Sequence, residues 1–244
     1  MIRSIAAEWL KLRRGRIWIT MTVLPALSLF IGCFNYYSNQ EVLNNAWYSL
    51  WTQVSLFYGE FFFPILIAIC CAYVCRLEHA NRNWNLVHTA PVSAASIYFG
   101  KLTVIAVLIL GVQALFIALY LLFGLLLSLP PADIPVELAG WALRGWIAAI
   151  SIASMQLLLS FRIRSFALPV GISICCSMLG LGLYILNMRF LFPFSLLTTG
   201  MGVLEQSSLT GPENGLFIFI NAAYISVFSA LAIHRLRTAD VVTT

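Results

Sequence analysis

Few residues in this chain have the type and spacing that chemistry requires. Gly100-Lys101 is its one Gly-Lys pair. A phosphate-cradling loop needs a glycine five positions before that pair's glycine and a Ser or Thr after the lysine; Ala95 and Leu102 stand there instead, so the chain has no ATPase site of its own. His79 and His88 belong to no His-Glu-x-x-His pattern, which leaves a zinc peptidase without support. Cys71 and Cys75 share one helical face with Cys70 alongside, but Cys33, Cys70, Cys71, Cys75, Cys175 and Cys176 all fall in or beside apolar runs. They read as inert packed thiols rather than as a metal site or a disulfide framework. The remaining candidates are polar groups inside apolar runs, where they cost free energy: Glu60, Gln113, Arg144, Gln156, Asn187 and Asn221. Glu60 and Arg144 fall near the outer ends of two such runs. They are candidates to pair with each other or to line a lateral opening, against the plainer reading of snorkelling to the headgroups.

The elements that position these groups follow from composition. Residues are 61% hydrophobic and only 9% charged, far below the roughly 25% charged of soluble domains. Six apolar runs each approach the roughly 20 residues that cross a hydrocarbon core about 30 Å thick. The expected fold is all-α, a polytopic membrane protein with spans at 17–36, 56–75, 102–128, 141–161, 166–187 and 216–233, forming one domain over 1–244. All Lys and Arg except Arg144 and Arg189 fall before the first span, between the second and third, after the fourth, or in the C-terminal tail. Lys and Arg flanking spans stay cytoplasmic, which places both ends there and fits an even number of spans. The net charge of +5 is then juxtamembrane charge facing anionic lipid, and no pattern suggests nucleic acid.

Three segments outside the spans stand out. In 1–16, Ile2, Ile5, Ala6, Trp9 and Leu12 recur at helical spacing with Arg3, Glu8, Lys11 and Arg14 around them, the pattern of an interfacial amphipathic helix. Between the second and third spans, Trp84, Leu86 and Val87 are apolar groups in a wet loop and need a covering surface. Pro91 ends any short helix there, and Ser93 is a suitable N-cap for the third span. Between the fifth and sixth spans, Phe190–Phe194 and Leu196–Leu197 are too apolar for an exposed loop, and Pro193 and Gly200 interrupt them. Short re-entrant helices or a partly buried loop both fit.

Glu8-Trp9-Leu10-Lys11-Leu12-Arg13-Arg14, then Leu77-Glu78-His79 followed by Trp84 and Ala90-Pro91-Val92-Ser93, then Ile97-Tyr98-Phe99-Gly100-Lys101 resemble the ABC-2 type permeases of bacterial ABC transporters. The sequence is most similar to the small permeases of lantibiotic-immunity systems (nisin, subtilin, epidermin and mutacin self-protection). The resemblance covers the chain in length and span count, and the first hundred or so residues in motif. It implies a cytoplasmic coupling helix between spans two and three that docks on an ATPase, with Glu78, Arg82, Trp84 and Pro91 as the contact residues.

The resemblance further implies two copies of a separate ATPase, which carry the ATP and Mg, and two permease subunits, often non-identical. No cofactor is expected in this chain. The resemblance implies a cationic antimicrobial peptide as the substrate, expelled from the bacterial cell membrane, and Glu60 and Arg144 are the candidates to line its path. A secondary transporter or intramembrane enzyme, and a non-transporting anchor or sensor, are the alternative readings. The first usually shows inverted repeats or paired broken helices, which the sequence lacks.

Overall fold

The computed structural model describes residues 2–13, 15, 17–80, 92–204 and 208–238; they build helices, with no strand among the described residues. A helix satisfies its own backbone in lipid, so long apolar segments without charges adopt it. Six of the described helices are long and apolar enough to cross a membrane, the number expected.

Helix α1 (Ile2–Arg13) is joined to α2 (Ile17–Ser38) by a tight turn in which the Gly15 amide donates to the Leu12 carbonyl at 2.9 Å. A side chain at Gly15 would place its Cβ 2.0 Å from the Tyr73 hydroxyl, so this turn packs against its neighbour only as glycine. The second crossing is one continuous rod of α3 (Ala46–Phe57), a π-helical turn (Tyr58–Phe62) and α4 (Phe63–Ala80). It starts at Ala46, ahead of the Leu56 expected. Tyr48, Thr52 and Gln53 dilute the apolar signal there, yet Trp47, Leu50, Trp51 and Val54 bury their side chains completely. Gly32 lets α2 approach this rod, since a Cβ there would lie 2.5 Å from Val54 Cα.

Helix α5 (Ala94–Leu126) begins at the expected cap: Ser93 is extended, and its Oγ accepts from the Ser96 amide at 3.2 Å. After a 3-10 turn (Pro131–Asp133) come α6 (Leu138–Arg162), α7 (Ala167–Ile185), α8 (Pro193–Gly200) and α9 (Gly211–Thr238). Successive crossings alternate in direction. One end of the bundle, here the basal end, therefore holds α1, the ends of α4, α6 and α9, and the starts of α5 and α7. The interval 188–215, expected as a re-entrant or partly buried stretch, contains the short α8, all of whose eight residues are buried. Pro193 suits its first turn because an amide there has no intrahelical partner to lose.

Helix α6 is the hub, packing on α4, α5, α8 and α9. Without a hydrophobic drive between helices in lipid, contact depends on close packing and on polar groups finding partners. The distal half is filled by aromatic side chains. Trp51 stacks on Trp141 with ring centroids 5.1 Å apart, and Tyr58 stacks on Phe116 at 3.7 Å. Their polar edges are used too: Trp47 Nε1 donates to the Pro130 carbonyl at 2.7 Å, Trp51 Nε1 to Met201 at 3.0 Å, and the Tyr120 hydroxyl to the Trp47 carbonyl at 2.8 Å.

Candidate functional site

The basal end holds a cluster of four charges. Lys101 lies in the second turn of α5, fully buried, and its ammonium group has three protons to place. It donates to Glu78 Oε1 at 2.7 Å, to Glu8 Oε2 at 3.0 Å and to the Val74 carbonyl at 3.3 Å. Lys11, partly exposed, donates to Glu8 Oε1 and to Glu78 Oε1, each at 2.8 Å. Two lysines thus face two carboxylates, and Glu78 Oε1 is shared between both cations.

A buried charge survives only when paired and hydrogen-bonded, and this arrangement meets that condition for Lys101. For Lys11, burial works against the charged form, but the hydrogen bonds and attraction of Glu78 and Glu8 outweigh it and raise its pKa above the ordinary lysine value.

Three elements supply these groups, and the sequence arranges each for it. On α1, Glu8 and Lys11 are one turn apart on the face that also buries Leu12. On α5, Gly100 precedes Lys101 and lets α1 come close; a Cβ there would stand 3.2 Å from Ser4 Cβ. The Ser4 and Ser96 hydroxyls hydrogen-bond at 3.0 Å beside it. On α4, Glu78 is followed by His79, whose Nε2 lies 2.9 Å from the Ser160 carbonyl of α6. The three motifs that carried the resemblance, around Glu8, Glu78 and Gly100-Lys101, therefore converge in space. Glu78 and Lys101 flank the segment 81–91, so the cluster ties both roots of that segment to α1. Arg82, Trp84 and Pro91 lie outside the described residues.

Sequence reasoning singled out Glu78 but counted Lys101 as one topology charge among many. It placed Glu8 and Lys11 merely around an amphipathic helix. The available signal was Lys101 itself, a single cation inside the otherwise apolar 94–126 helix.

Glu60 and Arg144 do not meet. Glu60 sits in the π-helical turn, about 21 Å along the rod from Ala46 at 1.5 Å per residue, deep within the second crossing rather than near its outer end. Its Oε1 accepts from the Thr198 hydroxyl at 2.6 Å, and its backbone carbonyl accepts from the Ser177 hydroxyl. A π turn leaves backbone groups out of the regular ladder and is a common feature of functional sites. Arg144 donates from Nε to the Gly200 carbonyl at 3.2 Å and from a terminal nitrogen to Asn214 Oδ1 at 3.3 Å. Both residues therefore hold α8, one by Thr198 and one by Gly200. Two glutamines deeper in the bundle are less well served: Gln113 accepts from the Tyr58 hydroxyl at 3.0 Å but its Nε2 finds no partner, nor do both polar atoms of Gln156. Among the described residues no three His, Cys, Asp or Glu side chains come together to hold a metal ion.

No curated protein matches the chain. The family model described as ABC-2 family transporter protein matches residues 4–180, which takes in all but the first two residues of α1, the four residues of the charge cluster and the first four crossings. The chain belongs to the ABC-2 transporter family, a multi-pass membrane component of ABC transporters.

Proposed function

We propose that this chain is the permease subunit of an ABC exporter, driven by a separate ATPase, that expels a lantibiotic or similar cationic antimicrobial peptide from a bacterial cell membrane and so confers immunity. The basal end and both termini face the cytoplasm, where Arg3, Arg76, Arg162, Arg164, Arg235 and Arg237 gather. The ATPase, in two copies with its ATP and Mg, docks there on the 81–91 segment through Arg82, Trp84 and Pro91, and a second permease subunit completes the pore.

The observation that carries the reading is the buried cluster of Glu8, Lys11, Glu78 and Lys101. It locks α1 and the roots of the docking segment into one unit, so force applied to that segment moves α1, α4 and α5 together. Glu78 serves here by fixing the segment's root. At the other end, Glu60 and Arg144 hold α8, which we assign as a re-entrant helix beside the peptide's route. The substrate class rests on the motif resemblance.

The test is purification of tagged protein from its native cell in mild detergent, with co-purifying chains identified and ATP hydrolysis measured. An ATP-binding subunit and peptide-stimulated turnover are expected. Trp84→Asp is expected to lose the ATPase while still inserting in the membrane. Recovery of the folded chain alone, or a Trp84→Asp variant with full ATPase recovery and stimulation, overturns the coupling assignment.

A further inference from the structure

We propose that the basal corner where α4, α6 and α7 meet is a binding site for the phosphate of an anionic phospholipid headgroup, built on Arg76 and Arg162. The corner is assembled by contacts already described and by one more. Cys71 Sγ donates to the Ala153 carbonyl at 3.6 Å and His79 meets the Ser160 carbonyl, so the ends of α4 and α6 adjoin. The Arg76 guanidinium then lies over the ring of Phe166, 5.8 Å from its centroid, at the entry to α7. Arg162 is the last residue of α6, and Arg164 follows within the same short turn.

Level and charge both select the ligand. Two crossing segments end at Arg76 and Arg162 and a third begins at Ala167, which puts these guanidinium groups at the depth of lipid phosphates. Among the described residues no carboxylate pairs with Arg76 or Arg162, whereas Lys11 and Lys101 at the same end are matched by Glu8 and Glu78. The described acids near this end, Glu8 and Glu78, are thus committed elsewhere. A guanidinium presents a planar fork that fits two phosphate oxygens, and that of Arg76 lies within cation–π range of Phe166. A zwitterionic headgroup would bring its own ammonium into this field; phosphatidylglycerol, anionic and without an ammonium, would not.

The assignment needs only that the chain spans a membrane and is independent of the transport reading. The test uses the full chain in nanodiscs of phosphatidylcholine with and without a minor fraction of phosphatidylglycerol. Retained lipid is counted by native mass spectrometry and the unfolding midpoint is recorded. The wild-type chain is expected to retain phosphatidylglycerol preferentially and to unfold at higher temperature with it. Arg76→Gln with Arg162→Gln is expected to weaken that preference by at least about tenfold, through loss of charge-assisted hydrogen bonds that diffuse surface attraction does not supply. Arg235→Gln with Arg237→Gln, an equal loss of charge at the basal end of α9, is expected to keep the preference. An equal loss in this control would reduce the site to diffuse attraction and overturn it. So would absence of preference in the wild type, which needs no variant to fold, or the same stabilisation by inorganic phosphate in pure phosphatidylcholine, which would make it a free-anion site. Loss of a co-purifying ATPase from the Arg76/Arg162 variant with lipid preference intact would assign the corner to a protein partner instead.

Discussion

Replacing Lys101 by Met keeps the aliphatic stem and removes the charge, leaving Glu8 and Glu78 to share the half-exposed Lys11. Glu78 is 2% exposed and Glu8 8%, so the excess negative charge has little access to water. Breaking a buried pair by removing one partner costs about 3–5 kcal/mol. These bonds hold α1 to α5 together with the Ser4–Ser96 hydrogen bond and the close approach at Gly100, so that cost falls on its docking, and at about 1.4 kcal/mol per tenfold the undocked population of α1 rises by roughly two to three and a half orders of magnitude. Hydrogen exchange of the α1 amides in nanodiscs reads this directly, with α6 as an internal control that should change little. Adding Glu78→Gln restores charge balance and is expected to recover a large part of the lost protection. Unchanged exchange in α1 for Lys101→Met, or a double variant less protected than the single one, would refute the account of the cluster as a charge-balanced clamp.

Other outcomes follow from local geometry. Gly32→Ala places a methyl 2.5 Å from Val54 Cα, a backbone atom that cannot step aside, and is expected to destabilise the α2–α3 contact by about 1–3 kcal/mol in unfolding titrations; Gly111→Ala, with nothing within 4 Å, should be neutral or slightly stabilising. Thr198→Val leaves Glu60 Oε1 without its hydroxyl donor, and a double-mutant cycle with Glu60→Leu should show a coupling of about 1 kcal/mol or more, whereas additive effects would mean the bond does not hold α8. Lys11 has a folded-state pKa above its unfolded value, so its contribution is fully present at neutral pH and disappears only as pH rises through the raised value, above the ordinary 10.5. The stability gap between the wild-type chain and Lys11→Met should therefore be flat through neutral pH and close in strong alkali.

The helices were legible because apolar length and charge placement are properties of single segments. Ser93 announces the start of α5 by its own chemistry; the breakers Pro193 and Gly200 left a short helix and a partly buried loop both open, and the structure has the helix. What could not be read was anything that depends on two segments at once. The start of the second crossing at Ala46 is concealed because Trp47 and Trp51 resemble an interfacial belt until Pro130 and Met201 are seen to accept from their indoles. The π-helical turn carries no residue signature, and its extra residue shifts the face that Glu60 presents. Of the readings open for Glu60 and Arg144, a pair, a lateral opening or snorkelling, the pair is absent; the two residues are related through α8, which sequence spacing could not place between them.

The position of Glu78 bears on how a docking segment can be coupled to the helices behind it. A residue that touches a partner must present its charge outward, and Glu78 is buried with one oxygen shared by two lysines from different helices. Placing it in direct contact with another chain would mean pulling it from both cations, at a cost of several kcal/mol. The same carboxylate costs nothing further if it stays in place and holds the root of the segment. A bond of this kind transmits displacement because its three elements must move together or separate, and separation exposes unpaired charge. The cluster's compact lysines suit that role: Lys101 spends its three donors within a single turn of α4 and one residue of α1, a convergence that a planar guanidinium could not match in the same space.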